Sequence, residues 1–340
     1  MDGVSHCKLK RRALMSLRRV LFPYMEVVLL WIYFSSIEAA QFDNNWLMDS
    51  AQLKELLQQQ AKVVYVVKKP NDRPTDVIPG TDIRRVLSWQ PDSEGDSFAI
   101  RTFSNTLSYP DGKKYPKAMQ TAEQWTGTMR RLGIDQNDTV IAVGNMEFAT
   151  RFSKTVVEYG GSAVVYNNSS TENILVPYAM VDVEPDELVP GNFSAISNSS
   201  IKLSLENSVG TRSDLTTRFW DIRESVYPAG VKTKNYVYAQ GTLLSASNAL
   251  KYTDLLDGDG AWYQSADAIS EVLNSHFGHP GRQEDIRHVI VYDSEGLSNI
   301  VMWAARSLGY ENVFVLAGGL HEFTMYGDNH RYVNLIKNVD

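Results

Sequence analysis

The sequence is very poor in cysteine. Its 340 residues include one, Cys7. A single thiol excludes a disulfide framework, a zinc ribbon and a Cys-x-x-Cys redox pair within one chain. The chain has 12 prolines and 22 glycines, and 43% of its residues are apolar, which excludes collagen-like, low-complexity and wholly disordered proteins. The length is enough for about two globular domains.

Basic residues are also scarce after the first forty positions. Residues 41–340 carry 27 basic and 37 acidic side chains, a net charge of −10. With no basic stripe to neutralise a phosphate backbone, nucleic acid is excluded as a partner. The histidines His276, His279 and His288 are interpreted as surface residues, and we expect neither a metal nor a cofactor.

The first forty residues have the order of a secretory signal. Six basic residues precede an apolar run from Val27 to Phe34, and small residues follow, with a cleavage position near Ala39. We expect a secreted protein or one in the lumen of the endoplasmic reticulum; a mitochondrial presequence is the alternative. If the segment is not cleaved, it would be the only contact with a membrane.

Five Asn-x-Ser/Thr motifs are consistent with entry into the secretory route. The predicted glycan acceptors are Asn137, Asn167, Asn168, Asn192 and Asn198.

The hydrophobic pattern predicts the same order of elements twice, about 150 residues apart. In the first half a helix ends at Gly133, and a strand over 139–143, a helix over 148–159 and a strand over 163–166 follow. In the second half the helices are predicted over 267–277 and about 298–308, and the strands over 288–292 and 313–316. This order predicts a parallel sheet in each half and an internal duplication.

Several short motifs occur in the order typical of one protein family. They are Ile78-Pro79-Gly80-Thr81, Phe148-Ala149-Thr150-Arg151-Phe152, Pro190-Gly191-Asn192-Phe193, Asp221-Ile222-Arg223 and the run from Leu308-Gly309-Tyr310 to Gly318-Gly319. Together they resemble the tandem rhodanese, or thiosulfate and mercaptopyruvate sulfurtransferase, family. The resemblance implies an α/β fold with two tandem rhodanese-like domains, each a parallel sheet flanked by helices. The expected organisation is a leader (1–40), a first domain (41–168), a connector (169–213) and a second domain (214–340).

The same resemblance implies where the chemistry would be. An active family member places a cysteine directly after the central strand of its second copy, where a helix N-terminus lowers the thiol pKa and the thiolate takes up sulfur as a persulfide. Here that position is Asp293, so no catalytic residue is assigned. The degenerate loop consists of Asp293, Ser294, Glu295, Gly296, Leu297 and Ser298.

Alternative roles remain open for these residues. Asp293 could act as a nucleophile, Asp293 or Ser294 could cap the following helix, or Asp293 and Glu295 together could recognise a cation or an amine. Ligand contacts are predicted for Arg223, Lys232, Lys234 and Arg151, although Arg151 and Arg223 could equally form ion pairs at a helix start and a strand end.

The sequence therefore predicts a rhodanese-like homologue without catalytic activity. It would act in binding or regulation, with a small molecule or a protein as partner in the cleft between the two copies. The alternative is an active sulfurtransferase, or another enzyme, that uses an unconventional nucleophile.

Overall fold

A computed structural model describes residues 46–69, 72–88, 104–108, 114–168, 174–178, 188–196, 202–203, 217–223, 232–233, 236–237, 242–243, 246–280, 286–292, 295–316, 319 and 336–337. All of them belong to one structural unit, Gln41–Asp340. The predicted leader, the loop residues Asp293 and Ser294, Lys234 and the acceptor Asn198 lie outside these ranges. Within them, no helix has both the length and the apolar character needed to cross a membrane.

The first copy is built on a parallel sheet of five strands. Its strand order is β1-β8-β7-β2-β4, and the core strands are rich in β-branched residues buried on both faces, as parallel sheets require. The strands of this half are β1 (Leu47–Met48), β2 (Lys62–Val67), β3 (Asp76–Val77), β4 (Val86–Ser88), β5 (Ser104–Ser108), β6 (Lys114–Met119), β7 (Thr139–Gly144), β8 (Ser162–Tyr166) and β9 (Val176–Pro177). Two antiparallel pairs, β3 with β9 and β5 with β6, lie outside the main sheet.

The second copy repeats this arrangement. Its sheet has the order β10-β16-β15-β11, and a parallel bridge between Trp220 and Ser247 continues it beyond β11, where β4 lies in the first copy. The strands are β10 (Lys202–Leu203), β11 (Thr217–Asp221), β12 (Lys232–Thr233), β13 (Tyr236–Val237), β14 (Thr242–Leu243), β15 (Arg287–Val291), β16 (Val313–Leu316) and β17 (Ile336–Lys337). The shared strand order agrees with the duplication predicted from the sequence.

Five α-helices and one short 3-10 helix lie in the described ranges. They are α1 (Ser50–Gln58), α2 (Ala122–Arg131), α3 (Met146–Glu158), the 3-10 helix Tyr252–Leu255, α4 (Ala266–Phe277) and α5 (Glu295–Ser307). Side-chain oxygens of Asp49, Thr121, Asn145 and Ser265 cap the first four α-helices by accepting hydrogen bonds from backbone N–H groups. The predicted helices α2 to α5 are confirmed, but α5 begins at Glu295 rather than near Ser298.

The two copies are joined through the helices that follow their central strands. Helix α3 follows β7, helix α5 follows β15, and these two helices pack against each other. Trp303 of α5 is fully buried, and its Nε1 donates a hydrogen bond to the carbonyl oxygen of Trp46 at 2.6 Å. One hydrophobic core consequently runs through both copies.

The residues predicted as a connector, 169–213, do more than link the copies. Strand β9 pairs with β3, and β10 forms the edge of the second sheet. Between them, Phe193 is buried in the core, and Gly191 passes so close to Ile134 that a Cβ atom would lie 2.1 Å from its carbonyl oxygen. Backbone pairing therefore ties these stretches of the predicted connector to the two sheets and their neighbouring strands.

Candidate functional site

The degenerate loop begins at the carboxyl end of β15, after Tyr292. Asp293 and Ser294 lie outside the described residues, and Glu295 is the first residue of α5. Gly296, Leu297 and Ser298 therefore form the first turn of that helix, and the carbonyl oxygen of Gly296 accepts a hydrogen bond from Asn299 Nδ2 at 3.0 Å. Ser298 is buried, and its hydroxyl has no hydrogen-bond partner in the part of the chain that the structure describes.

Arg223 lies just beyond the carboxyl end of β11, in a buried ion pair. Its Nε is 2.9 Å from Oδ1 of Asp221 and its Nη2 is 2.6 Å from Oδ2, so the guanidinium binds the carboxylate with two parallel contacts. Arg223 is 1% exposed and Asp221 is fully buried. The side chain of Lys251 donates to the carbonyl oxygen of Arg223 at 2.6 Å. The structure thus has the ion pair that was one of the two predicted roles of Arg223.

The other predicted ligand contacts are scattered. Arg151 is the sixth residue of α3, which begins at Met146, two residues before the predicted start at Phe148. Its side chain is 2% exposed. Lys232 lies in β12, opposite Val237 of β13.

The predicted glycan acceptors differ in exposure. Asn137 and Asn192 are exposed, and Asn168 is partly exposed. Asn167 is 1% exposed, and its side-chain Oδ1 accepts a hydrogen bond from the backbone N–H of Tyr263 at 2.9 Å. We correct the prediction for Asn167, because a buried amide bonded to the second copy leaves no room for a glycan in the folded chain.

One of the three histidines interpreted as surface residues is buried. His288 is 3% exposed, stacks on Phe277 with ring centroids 4.3 Å apart, and accepts a hydrogen bond at Nδ1 from Trp220 Nε1 at 3.1 Å. Burial, with a smaller effect from the charge of Arg218, lowers the pKa of His288 to about 4. The surface interpretation is wrong for His288. Among the described residues, no group of three or more His, Cys, Asp or Glu side chains could hold a metal.

A cavity of about 560 Å³ lies at the carboxyl ends of β2 and β7 in the first copy. Val66 and Gly144 line it where those two strands end, and Trp262 of the second copy closes one side. The volume is within the range of small-molecule sites, and such sites in parallel α/β sheets lie at the carboxyl ends of the strands. Residues of both copies therefore line the cavity.

This cavity was not predicted from the sequence. Ligands bind at the carboxyl ends of the strands in parallel α/β sheets, and this rule applies to the first copy as much as to the second. It could have predicted a site at the ends of β2 and β7. The contribution of Trp262 has no signal in the sequence, because that residue lies more than a hundred positions after β7 and reaches the cavity only through the packing of the two copies.

Comparisons with known proteins agree with this architecture. Residues 209–326 match the family "Rhodanese-like domain". No curated protein matches the sequence at a significant level. Several solved structures do share the fold, although their sequence identity to this chain is low.

Three of these structures illustrate the similarity. The Tum1 protein from Saccharomyces cerevisiae has a TM-score of 0.62 and 16% identity, covering 88% of this chain and 100% of its own. SseA from Escherichia coli, described as a 3-mercaptopyruvate sulfotransferase with the rhodanese fold, has a TM-score of 0.55 and 16% identity, covering 81% and 98%. EanB, in a complex with ergothioneine in which a cysteine carries a persulfide, has a TM-score of 0.59 and 13% identity, covering 88% and 72%.

The matched segment contains three of the four strands of the second sheet, β11, β15 and β16, and helix α5, which packs against the first copy. The first copy repeats the strand order of that sheet. Residues 209–326 thus form a rhodanese-like domain, and the chain has the α/β fold of the rhodanese-like sulfurtransferases.

Proposed function

We propose that this protein is a rhodanese-like homologue that does not transfer sulfur and that acts by binding a small molecule or a protein in the cleft between its copies. One observation carries the proposal: no cysteine occurs in residues 209–326, and the chain has none after Cys7. The position directly after Tyr292 holds Asp293 instead.

The chemistry of sulfur transfer explains why this substitution matters. A persulfide forms when a thiolate attacks the sulfur donor, and the sulfur is then held in a sulfur–sulfur bond that a second nucleophile can break. EanB, which shares the fold, has been described with such a persulfide on a cysteine. An Asp carboxylate has no sulfur atom and cannot hold sulfane sulfur in a stable, transferable form.

Charge in the loop supports the same conclusion. Asp293 and Glu295 place two acidic residues within three positions. The substrates implied by the family resemblance, thiosulfate and mercaptopyruvate, are anions. Two like charges about 4 Å apart repel each other by about 4 kcal/mol at the effective dielectric constant near a protein surface. The loop would therefore disfavour the substrates of the active family members.

The pairing of Arg223 is a further reason for the proposal. A cation that binds an anionic substrate needs donors that are free to face it. Two of the guanidinium nitrogens of Arg223 contact the carboxylate of Asp221, and both side chains are buried. A buried, paired guanidinium adds little positive potential to a substrate site.

The test is an activity assay on the purified wild-type chain. We expect no thiocyanate from thiosulfate and cyanide, and no sulfur transfer from 3-mercaptopyruvate, above a blank without protein. Asp293→Ser is the matched variant and should behave like the wild type. Wild-type turnover above the blank would overturn the inactive assignment, and its loss in Asp293→Ser would support the second candidate, an enzyme with an unconventional nucleophile.

A further inference from the structure

The cavity in the first copy lies at the residue that corresponds in sequence to Asp293 of the second copy. Gly160 and Gly309 end the equivalent helices α3 and α5, and both have a positive φ, 80° and 85°. Counting back from these two glycines by the same number of residues leads to Gly144 and Asp293. Gly144 therefore corresponds in sequence to Asp293, and in the first copy this position lines the cavity.

Part of the cavity lining has no side chain or an apolar one. At Gly144 a Cβ atom would lie 2.3 Å from the carbonyl oxygen of Val66, so this turn accepts only glycine and leaves no side chain at the position of Asp293. Phe148 lines one side, and Trp262 of the second copy lines another. Trp262 packs edge-on against Tyr166, with ring centroids 6.1 Å apart, which holds the indole in place. These surfaces suit an aromatic or aliphatic group.

Among the residues that the structure describes, equal numbers of positive and negative side chains line the cavity. Two cations, Lys68 and Arg73, and two carboxylates, Asp72 and Asp76, line it, and all four residues are exposed. The guanidinium of Arg73 lies over the ring of Tyr178, 5.5 Å from its centroid. Among described atoms, none of the four residues forms a salt bridge with another.

Within the part of the chain that the structure describes, one of these two carboxylates accepts a hydrogen bond from a neighbouring residue. Oδ2 of Asp72 accepts a hydrogen bond from the backbone N–H of Lys69 at 2.9 Å, and this bond links the two residues three positions apart. A ligand with a single charge would pair with the two lining side chains of opposite sign, and the two of like sign would repel it or face no partner. A ligand with an anionic and a cationic group can satisfy both pairs.

We propose that this cavity binds a small zwitterion with an apolar side chain, of the amino-acid class. The ligand carboxylate would face Lys68 and Arg73, its ammonium group would face Asp76 and Asp72, and its side chain would lie between Phe148 and Trp262. This inference rests on the binding role proposed above, and it does not depend on the loss of sulfur transfer.

Three matched probes test the assignment by calorimetric titration of the full chain at pH 7. L-phenylalanine carries both charges, 3-phenylpropionate only the carboxylate, and phenethylamine only the ammonium group. We expect saturable binding of L-phenylalanine, about tenfold tighter than that of either singly charged probe. The absence of saturable binding overturns the site. Equal affinity for 3-phenylpropionate or phenethylamine overturns the zwitterion class.

Variants locate the binding. Replacing Lys68 and Arg73 together by Gln should reduce the affinity for L-phenylalanine to that for phenethylamine, and Asp76→Asn should reduce it to that for 3-phenylpropionate. Lys54→Gln, on the exposed face of α1, is the matched control and should bind like the wild type. Unchanged affinity in the cavity variants, with unchanged melting temperatures, contradicts the location. The sulfur-transfer assay is independent of this titration, so a failure of the proposed inactivity can be distinguished from a failure of the proposed binding site.

Discussion

At the scale of residues, the proposed lack of sulfur transfer depends on single side chains that follow strands β11 and β15 of the second copy. Arg223 is bound to Asp221 within the protein, and the position expected for a cysteine holds Asp293. In the inactive protein that we propose, the absence of a thiol is one obstacle to sulfur transfer and the negative charge of the loop is another. The two obstacles can be separated by substitution, because Asp293→Cys supplies a thiol and Glu295→Gln removes one of the two loop charges.

The first residue-scale prediction separates the missing thiol from the loop charge. We expect Asp293→Cys to form little persulfide with thiosulfate, and the double variant Asp293→Cys/Glu295→Gln to form it on the order of tenfold faster, because one carboxylate no longer repels the anion. Mass spectrometry of the intact protein measures the gain of one sulfur atom, with Asp293→Ser as the negative control. Equal rates in the single and double variants would show that Glu295 is not an obstacle.

A second residue-scale prediction concerns His288. Because its pKa in the folded protein is about 4, below the ordinary 6.5, the unfolded chain takes up a proton first as the pH falls. Stability should therefore be unaffected by His288 above pH 6.5 and should fall between pH 6.5 and 4, by up to about 3 kcal/mol. His288→Asn, which keeps an acceptor for Trp220, should lose this part of the pH dependence in urea unfolding. The exposed residue His279, replaced by Asn, is the control and should retain the full dependence.

At the scale of elements, local sequence explains where most helices begin. Thr121 and Gln124 form a capping box at α2, and Asn145 accepts from the backbone N–H of Glu147 at α3. Packing, in contrast, explains the extent of α5. Its first turn, with Gly296 and Ser298 buried, is one that apolar periodicity alone does not indicate.

The contact between α5 and β1 gives an element-scale prediction. Trp303→Ala should lower the free energy of unfolding by about 3 to 5 kcal/mol, because it empties a fully buried site next to Trp46. Trp303→Phe keeps a ring and loses the hydrogen bond to the Trp46 carbonyl oxygen, so the loss should be about 1 kcal/mol. Urea unfolding measures both, and Val189→Ala, at an exposed site, is the control. A stability of Trp303→Ala equal to that of the wild type would contradict this packing role.

At the scale of the whole molecule, the two copies share a hydrophobic core, and residues of both copies line the cavity at the carboxyl ends of β2 and β7. The segment between them adds a strand to each copy, and Asn167 at the end of β8 bonds to Tyr263 of the second copy. These contacts cross the boundary between the copies, so neither copy is complete without residues that the sequence analysis assigned to the connector or to the other domain.

We propose, as the whole-molecule prediction, that residues 1–40 direct the chain into the secretory route. Protein from native cells should begin near Ala39 or Ala40 and should gain electrophoretic mobility after endoglycosidase treatment. Asn137→Gln and Asn192→Gln should each remove a glycan, whereas Asn167→Gln, at a buried site, should not. An N-terminus at Met1, together with a mobility that the endoglycosidase leaves unchanged, would contradict the proposal.

The sequence by itself determined the class of fold. Strands β7, β8, β15 and β16 and helices α2 to α5 follow from hydrophobic periodicity, caps and glycine stops, which are local signals. It also determined that no thiol follows Cys7, because that is a property of composition. The duplication was visible for the same reason: the two halves repeat their local signals in the same order.

Only the tertiary structure decided which side chains meet. The burial of His288 and Asn167, the fork of Arg223 on Asp221 and the closure of the first-copy cavity by Trp262 all join residues through packing. The exposure of a side chain depends on which other elements cover it. The order of residues along the chain does not specify those elements. The physical reason is that these contacts form between faces of separate elements, whose relative placement is set by the shared core of the two copies.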